Sequence, residues 1–455
     1  MTQHSAPANP RWSSHLVFVL SAAGAAVGLG NFWRFPFVVG ENGGGAFVIV
    51  YLAAVALVGF PIMMAELMIG RRGRGNAEQA IGAVSREVGA AKFWRVIGAL
   101  SVFIPFIGIG YYSVVAGWVL DYMVGYIANF GFHFADPAAY QQRFDDMLAS
   151  PMRLLLLHLA FMSGVVFVVG LEIQQGIERV AKLMMPGLFL LLLGLVAFAA
   201  VKGDFFAGLS FLLKPDFSAL TGRAVLMALG QAFFSLAIGI GILMTFGAYL
   251  DERASIPKAA AQICIADTSI ALLAGLAIFP IVFAFGLEAT GGEGLVFVAL
   301  PAAFAEMTGG AFFGSAFFVL LFFAAFTTGV ATLEPVVSWL VGRGVARRRA
   351  AVLAGGVAWL LGAAATLSFN EWETVYPLAF LPGWENLTIF AILDTLIASL
   401  LLPINGVLLS LFAGWALPRA LAAAELDAPA WLLTAWRWLL RVVVPVAILT
   451  IMIGG

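Results

Sequence analysis

The feature that most constrains this chain is a series of apolar runs, each long enough to cross a lipid bilayer. A bilayer core about 30 Å thick needs about 20 apolar residues per helix, and about eleven such runs follow one another here. Only 11% of the 455 residues are charged, which is unlike a soluble domain. The sequence therefore predicts an all-α integral membrane protein. The expected spans are 14–38, 43–70, 93–127, 152–171, 177–200, 222–250, 257–287, 313–342, 349–368, 387–416 and 430–453.

The connections between the runs indicate topology. The runs are continuous rather than alternating, which excludes a β-barrel. No long polar segment separates them, so we expect one transmembrane domain over residues 1–455, and the polar leader lacks the basic start of a secretory signal. Basic clusters such as RRGRG and GRGVARRR follow even-numbered spans. By the positive-inside rule, this places the N-terminus in the cytoplasm and the C-terminus on the outer side.

Several classes of chemistry have no support in the residues. Cys264 is the only cysteine and the four histidines are scattered, so neither disulfides nor zinc or haem sites are expected. There is no His/Glu metal motif and no nucleophile with a nearby histidine, so we do not expect an enzyme. The net charge is −1. We expect no organic cofactor and no nucleic-acid partner.

Two of the predicted spans are interrupted by glycines. GAAVGLGN covers 24–31 in the first span, and SLAIGIGI covers 235–242 in the sixth, five spans later. Five is an odd number, so the second set of five helices would cross the membrane upside down, as in inverted-repeat transporters. We expect repeat 1 at about 12–200, repeat 2 at about 222–416 and an additional helix at about 430–453. Close helix packing is the alternative explanation of such glycines.

The polar groups within the spans are the candidate functional residues. Ionisable groups at membrane depth are costly and mark pathways. A helix can unwind there only where its freed carbonyls and amides find partners, and these groups suit a cation and a carboxylate respectively. Arg34 with Asp394 is either an outer ion pair or two independent side chains. The set is Asn31, Arg34, Glu66, Tyr112, Gln231, Ser235, Asp267, Thr327, Thr328, Glu334 and Asp394.

The stretch GAAVGLGNFWRFPFVVGENGGGAF resembles the neurotransmitter:sodium symporter family. The resemblance continues through PIMMAELMIGRRGRG, GIGYYSVVAGW, GQAFFSLAIGIG, LFFAAFTTGVATLEP and ILDTLIASLLLPINGVL, and it covers ten of about eleven spans. It implies a leucine-transporter-like fold with a 5+5 inverted repeat and discontinuous helices 1 and 6. It also implies sodium-coupled amino-acid import by alternating access in a bacterial inner membrane, by a monomer or weak homo-oligomer.

The resemblance further implies two sodium sites, one substrate site and a gate. Sodium site 1 would use Ala26, Asn31, Ser235 and Asp267. Sodium site 2 would use Gly24, Val27, Ala324, Thr327 and Thr328. The substrate would contact Ala26, Leu29, Gly30, Gly108, Tyr112, Phe234, Ser235, Ala237, Ile240, Thr328 and Thr332. Arg34 and Asp394 would form the gate above it.

Departures from the family pattern indicate the substrate and the ions. Relatives that carry monoamines have an aspartate where this chain has Gly28, so the substrate should bring its own carboxylate, as an amino acid does. Asp267 and Ala271 replace the asparagine and serine of chloride-dependent relatives, which predicts chloride-independent transport. Gly108 and Ile240 replace bulkier residues, which favours a large hydrophobic or aromatic side chain.

Other functions stay open at this point. A transporter-like receptor would bind an amino acid without net flux, and a symporter could carry another small zwitterionic solute. A channel would need a continuous polar pore. The family's usual inner ion pair is also missing, because its positions are Asn9 and Gly342 here. Whether Arg11 and Glu334 form a replacement pair is not decided by the sequence.

Overall fold

The computed structural model describes residues 11–134, 136, 138–286 and 292–454. Within these ranges, nine helices are long and apolar enough to cross a membrane, and His15–Ala26 with Gly30–Glu41 forms a further span bent by 57°. The sixth predicted span is divided into Gly222–Ser235 and Ile242–Gly247. The described residues contain no β-strand, only an isolated bridge. The predicted all-α membrane architecture is confirmed.

The membrane helices are numbered 1 to 11 in chain order. Helix 1 consists of 1a (His15–Ala26) and 1b (Gly30–Glu41), and helix 6 of 6a (Gly222–Ser235) and 6b (Ile242–Gly247). Helices 2 to 5 are Gly45–Gly73, Lys92–Asn129, Pro151–Val169 and Ile177–Lys202. Helices 7 to 11 are Ile256–Ala284, Gly310–Val341, Arg347–Leu367, Ile389–Ala416 and Ala430–Ile453.

Short helices lie in the connections between spans. The side on which helix 1 begins is called the N-face. Ala77–Glu87 and Arg419–Leu426 lie at the N-face, and Ala138–Leu148, Phe205–Leu213 and Leu295–Glu306 lie at the opposite face. A polar residue next to an apolar run starts several helices, because its side chain accepts a hydrogen bond from a free backbone amide. Such caps are Ser14, Asn76, Thr221, Ser255 and Thr388.

Helix 1 is interrupted where the sequence predicts it. Helix 1a ends at Ala26, and Val27 is extended, with φ −71° and ψ 91°. The Gly28 amide donates to Oδ1 of Asn31 at 3.1 Å, so a side chain of helix 1b satisfies a backbone group that the break leaves free. The break therefore turns the chain without leaving this amide unpaired in the membrane interior.

Helix 6 is interrupted over residues 236–241, where the backbone is left-handed at Ala237 (φ 49°), Gly239 (φ 79°) and Gly241 (φ 88°). Gly241 also needs the space, because an added Cβ would lie 2.4 Å from Cβ of Ser101. Both discontinuities expected in helices 1 and 6 are thus present. They lie five helices apart, as an inverted repeat requires.

Two side chains hold the break in helix 6. Glu66 of helix 2 accepts a hydrogen bond from the Gly239 amide at 2.7 Å. Asn405 of helix 10 donates to the Gly239 carbonyl at 2.7 Å. Glu66 and Asn405 are both 1% exposed. Because unpaired backbone groups are costly in hydrocarbon, these two bonds stabilise the unwound segment.

Helices 3 and 8 form the centre of the packing around the breaks. Helix 8 contacts helices 1a, 3, 5 and 9, and helix 3 contacts helices 4 and 9. Large side chains at this centre, such as Phe18, Trp118 and Phe246, are almost completely buried. The two interrupted helices therefore lie against a wall of continuous ones.

Candidate functional site

The two helix breaks meet at a cavity near the centre of the molecule. Helices 1, 3, 6, 8 and 10 all contribute to its lining. The lining contains every residue predicted to contact the substrate: Ala26, Leu29, Gly30, Gly108, Tyr112, Phe234, Ser235, Ala237, Ile240, Thr328 and Thr332. The structure brings these residues together from four distant parts of the chain. Their role as ligands stays a prediction.

One end of the cavity offers hydrogen-bond donors. The Tyr112 hydroxyl is buried and makes no hydrogen bond of ordinary geometry within the described chain. It lies close to the Leu29 amide and the Thr328 hydroxyl. A Cβ on Gly28 would lie 2.8 Å from Oγ1 of Thr328, so a larger residue would intrude into this end. A free hydroxyl beside the first amides of helix 1b fits a carboxylate.

The first group of predicted sodium ligands forms a buried cluster. Oγ of Ser235 donates to Oδ2 of Asp267 at 2.7 Å, and Nδ2 of Asn31 donates to Oδ1 of Asp267 at 2.8 Å. Asn31 and Asp267 are 0% exposed and Ser235 is 2% exposed. Tyr51 lies at 3.5 Å from the Ser235 oxygen. Asp267 supplies a single carboxylate beside the neutral hydroxyls of Ser235 and Tyr51, which suits a monovalent hard cation. Asn31 presents its amide nitrogen to this cluster, and its amide oxygen accepts from the Gly28 amide.

The second group surrounds the end of helix 1a. Oγ1 of Thr328 lies 3.4 Å from the carbonyl oxygens of Gly24 and Ala25 and 3.3 Å from that of Val27. The last carbonyls of a helix have no intrahelical hydrogen-bond donor, so their oxygens are available to bind another group, such as an ion. The Ala25 carbonyl was not among the predicted ligands.

The remaining two members of this group belong to helix 8. Oγ1 of Thr327 donates to the Ala324 carbonyl at 3.1 Å. An added Cβ on Gly24 would lie 3.4 Å from Cβ of Thr327, so helix 1a and helix 8 are in close contact here. All five predicted ligands of site 2 therefore lie at one contact between the two helices. Every atom predicted to coordinate the ion is an oxygen, which fits a hard cation.

The predicted gate lies between the cavity and the face opposite the N-face. The Arg34 guanidinium lies 4.6 Å from the centre of the Phe234 ring, and Phe234 lines the cavity. Arg34 and Asp394 attract each other electrostatically. The Asp394 side chain is exposed. Among the described residues the two side chains interact across a distance and form no direct ion pair, and their action as a gate stays a prediction.

The N-terminal segment covers the N-face side of the site. Nε1 of Trp12 donates to the Phe246 carbonyl in helix 6b at 3.0 Å. The Ser13 amide and hydroxyl donate to the two carboxylate oxygens of Glu178 in helix 5, at 2.8 and 2.6 Å. Glu178 is 0% exposed and also pairs with Lys182. The beginning of helix 1 is therefore fixed to helices 5 and 6.

The candidate pair of Arg11 with Glu334 does not form. Arg11 pairs with Asp251 at 3.5 Å on the surface. Glu334 is 0% exposed and pairs with Arg347 at 2.6 Å, and Nε of Arg347 donates to the Leu171 carbonyl. Glu334 thus takes a partner from the next helix rather than from the N-terminus. Asn9 lies outside the described residues.

Several residues of the site could not be assigned a role from the sequence. Glu66 was predicted only as an ionisable group within a span. The local sequence does not distinguish Asn405 and Arg347 from other polar residues of the chain. Ile397 and Leu402 of helix 10 line the cavity. They are apolar residues in an apolar span, so only the packing of helix 10 against helix 3 reveals their position.

Known proteins resemble this chain over almost its whole length. Its sequence matches the profile of the Sodium:neurotransmitter symporter family at residues 9–131 and 145–392. It is 35% identical over 450 residues to the uncharacterized sodium-dependent transporter YhdH of Bacillus subtilis, covering 98% of this chain and 97% of that protein. An uncharacterized sodium-dependent transporter of Haemophilus influenzae is 34% identical over 454 residues, with coverages of 98% and 97%. The crystal structure of MhsT in complex with L-phenylalanine matches with a TM-score of 0.88 at 38% identity, covering 98% of this chain and 99% of that chain.

Proposed function

The chain belongs to the sodium:neurotransmitter symporter family, and from this premise we propose that it imports a large hydrophobic or aromatic amino acid together with sodium. It is a sodium-dependent membrane transporter and not an enzyme. The observation that carries the proposal is the cavity between the two helix breaks, which has hydrogen-bonding groups at one end and apolar side chains at the other.

The polar end of the cavity supports an amino acid as the substrate. Its carboxylate would accept hydrogen bonds from the Leu29 and Gly30 amides and from the Tyr112 hydroxyl, which makes no hydrogen bond of ordinary geometry with the residues that the structure describes. Its ammonium would contact the carbonyls of Ala26 and Phe234 and also that of Ser235. Gly28 contributes no carboxylate. An amine without a carboxylate would leave the donors at this end unpaired, which is costly in a buried site.

The apolar end supports a large side chain. Ile104, Gly108, Ile240 and Ile397 line the cavity on this side, and none of them offers a side-chain hydrogen bond. The related MhsT structure is a complex with L-phenylalanine. Its 38% identity to this chain favours a hydrophobic or aromatic substrate here as well.

Two sodium ions are proposed as co-substrates, one at the Asn31–Ser235–Asp267 cluster and one at the contact of helix 1a with helix 8. The inward movement of one positive charge across about 100 mV releases roughly 2.3 kcal/mol before the concentration gradient is counted. Helices 1, 2, 6 and 7 would move against helices 3, 4, 8 and 9, so that the site opens to one side at a time. In this mechanism, Arg34 and Asp394 close the outer side.

The proposed location is a bacterial inner membrane with the N-face toward the cytoplasm. The basic residues concentrated at the N-face support this orientation. The protein would act as a monomer or weak homo-oligomer.

The first cluster supports the proposal of chloride-independent transport. Asp267 places a fixed negative charge where chloride-dependent relatives have a neutral asparagine, and Ala271 offers no hydroxyl. The carboxylate lies within hydrogen-bond distance of Ser235 and Asn31 in a buried site. At such short range it would attract sodium strongly without a bound anion.

Uptake into proteoliposomes tests the proposal. An inward sodium gradient should make the vesicles accumulate labelled phenylalanine, and an equal potassium gradient should not. Replacement of chloride by gluconate at constant sodium should leave the rate unchanged in the wild type. Binding without accumulation would instead identify a receptor, and uptake that collapses in gluconate would refute chloride independence. Competition by amines as strong as that by amino acids would refute the substrate class.

A further inference from the structure

Three arginines lie close together at the N-face, where helix 10 ends and helix 11 runs past it. Arg437 and Arg441 belong to helix 11, and Arg419 begins the short helix between helices 10 and 11. Arg437 is within electrostatic range of the positive charges of both Arg441 and Arg419. Because like charges repel, a negative charge would stabilise these three residues, which are called the arginine cluster.

The chain provides only neutral partners for the arginine cluster. Its hydrogen bonds run from Arg437 to the Leu417 carbonyl at 2.9 Å, from Arg441 to the Gly414 carbonyl at 2.7 Å and from Arg419 to the Thr434 hydroxyl at 3.1 Å. A guanidinium has five N–H donors. Each of the three arginines therefore keeps most of its donors for another partner.

The acidic residues between helices 10 and 11 do not neutralise the arginine cluster. Glu425 pairs with Arg71 and Arg72 of helix 2, at 3.0 and 3.1 Å. Within the described ranges, neither Asp427 nor any of the three clustered arginines takes part in an ion pair. The arginine cluster thus has three positive charges and no counter-charge from these residues.

The surroundings of the arginine cluster are typical of a membrane interface. Trp415, Trp431 and Trp438 are large apolar side chains that the fold leaves exposed. The Arg441 guanidinium lies 4.8 Å from the centre of the Trp415 ring. Tryptophans are enriched where the hydrocarbon core of a bilayer meets the lipid headgroups. The arginine cluster is therefore at the level where headgroups of the N-face leaflet would lie.

Capping of helix 10 explains only part of this arrangement. The end of a helix carries a partial negative charge, which attracts arginines such as Arg437 and Arg441. Their bonds to two carbonyls leave the net positive charge in place. A charged residue within a membrane span is costly unless it finds a partner. At headgroup depth, a phospholipid phosphate supplies both a negative charge and several acceptor oxygens.

We propose that the arginine cluster binds the headgroup of an anionic phospholipid in the leaflet at the N-face. The phosphate lies among Arg419, Arg437 and Arg441, and the lipid backbone lies against the exposed tryptophans. Because Arg441 and Arg437 also bind carbonyls at the end of helix 10, the bound lipid fixes helix 11 to helix 10. This inference goes beyond transport and depends on neither the substrate nor sodium.

Native mass spectrometry of the protein in detergent measures the binding of added lipids. Phosphatidylglycerol and phosphatidylcholine with identical acyl chains are compared, because both contain a phosphate but choline cancels its charge. The wild type should bind phosphatidylglycerol more tightly by about tenfold or more. Each replacement of a clustered arginine by glutamine should weaken phosphatidylglycerol binding about fivefold and leave phosphatidylcholine binding unchanged. The triple variant Arg419→Gln/Arg437→Gln/Arg441→Gln should lose the preference.

A matched control separates a defined site from general attraction. Arg86→Gln/Arg179→Gln/Arg253→Gln removes the same charge from three exposed positions elsewhere on the N-face. This control should keep the wild-type preference for phosphatidylglycerol. Equal losses of preference in the two triple variants would overturn the site.

A soluble anion tests whether the occupant is a lipid. Excess sn-glycerol 3-phosphate should not displace phosphatidylglycerol, and displacement at concentrations similar to those of the lipid would overturn a lipid as the occupant. Arg419 is exposed and its only hydrogen bond within the described chain goes to Thr434. Should the triple variant not fold, Arg419→Gln therefore decides the matter, because an unchanged affinity for phosphatidylglycerol would refute the proposal.

Discussion

Replacement of Glu334 by glutamine should destabilise the protein strongly, although Glu334 lies away from the central cavity. Glu334 is 0% exposed, the side chain of its partner Arg347 is 14% exposed, and their closest atoms are 2.6 Å apart. A second hydrogen bond of 3.1 Å makes the contact bidentate. Glutamine would remove the negative charge and leave the largely buried Arg347 guanidinium with Glu172 as its remaining, weaker counter-charge.

The expected magnitude follows from this burial. Removal of one partner of a buried ion pair costs about 3–5 kcal/mol. An unfolding entropy of about 2.1 cal/mol/K per residue corresponds to about 1 kcal/mol/K for a chain of this length. Glu334→Gln should therefore lower Tm by about 3–5 °C.

Thermal unfolding in detergent, followed by tryptophan fluorescence, provides the measurement. The matched control is Glu87→Gln, which breaks the contact of Glu87 with Arg72, whose side chains are 42% and 41% exposed. Exposed ion pairs contribute about 0–1 kcal/mol, so this variant should lose about 1 °C or less. The double variant Glu334→Leu/Arg347→Met should recover most of the lost stability, because it leaves no buried charge. Equal Tm values for Glu334→Gln and Glu87→Gln would show that burial does not strengthen the Glu334 contact.

Three further predictions concern other parts of the structure. Gly241→Ala should lower Tm, because φ is +88° and an added Cβ would lie 2.4 Å from Ser101; an unchanged melting curve would contradict the strain. Asn405→Leu should reduce sodium-dependent substrate binding, measured by filter assay, because the break in helix 6 loses its donor; wild-type affinity would contradict this. The hydrogen bond from Arg72 holds the pKa of Glu87 below its ordinary value. The contact should therefore stabilise the protein fully at a pH above the ordinary pKa of Glu87, and this stabilisation should be lost as the pH falls through the lowered pKa. The Tm difference between wild type and Glu87→Gln should accordingly shrink in acid, and a difference that grows would refute the assignment.

The sequence was sufficient to predict the helices and their interruptions. Apolar runs as long as Lys92–Asn129 admit no other structure in a bilayer, and the observed limits differ from the predicted 93–127 by only one or two residues. The glycines of GAAVGLGN and SLAIGIGI identified both breaks, because a helix cannot easily retain so many residues without side chains. The eleven substrate contacts implied by the family resemblance line one cavity, and seven of them belong to helices 1 and 6 or lie in their breaks.

The parts that the sequence did not predict depend on contacts between distant helices. Nothing in the local sequence distinguishes Ile397 from other apolar residues that face lipid. Asn405 is a single polar residue whose partner is a backbone carbonyl 166 residues away. A buried carboxylate such as Glu334 requires a positively charged partner, but several arginines near the N-face could provide one. The choice of Arg347 follows from the close packing of helix 8 against helix 9.

The attachment of Trp12 and Ser13 has a consequence for the rate of the transport cycle. These two adjacent residues hold helix 6b on one side and helix 5 on the other, through three hydrogen bonds. Because Trp12 and Ser13 are joined by one peptide bond, helices 5 and 6b cannot separate from each other unless the Trp12 hydrogen bond or both Ser13 hydrogen bonds break. Water entry from the N-face should therefore occur as one concerted event rather than by gradual loosening, and its frequency should depend steeply on temperature.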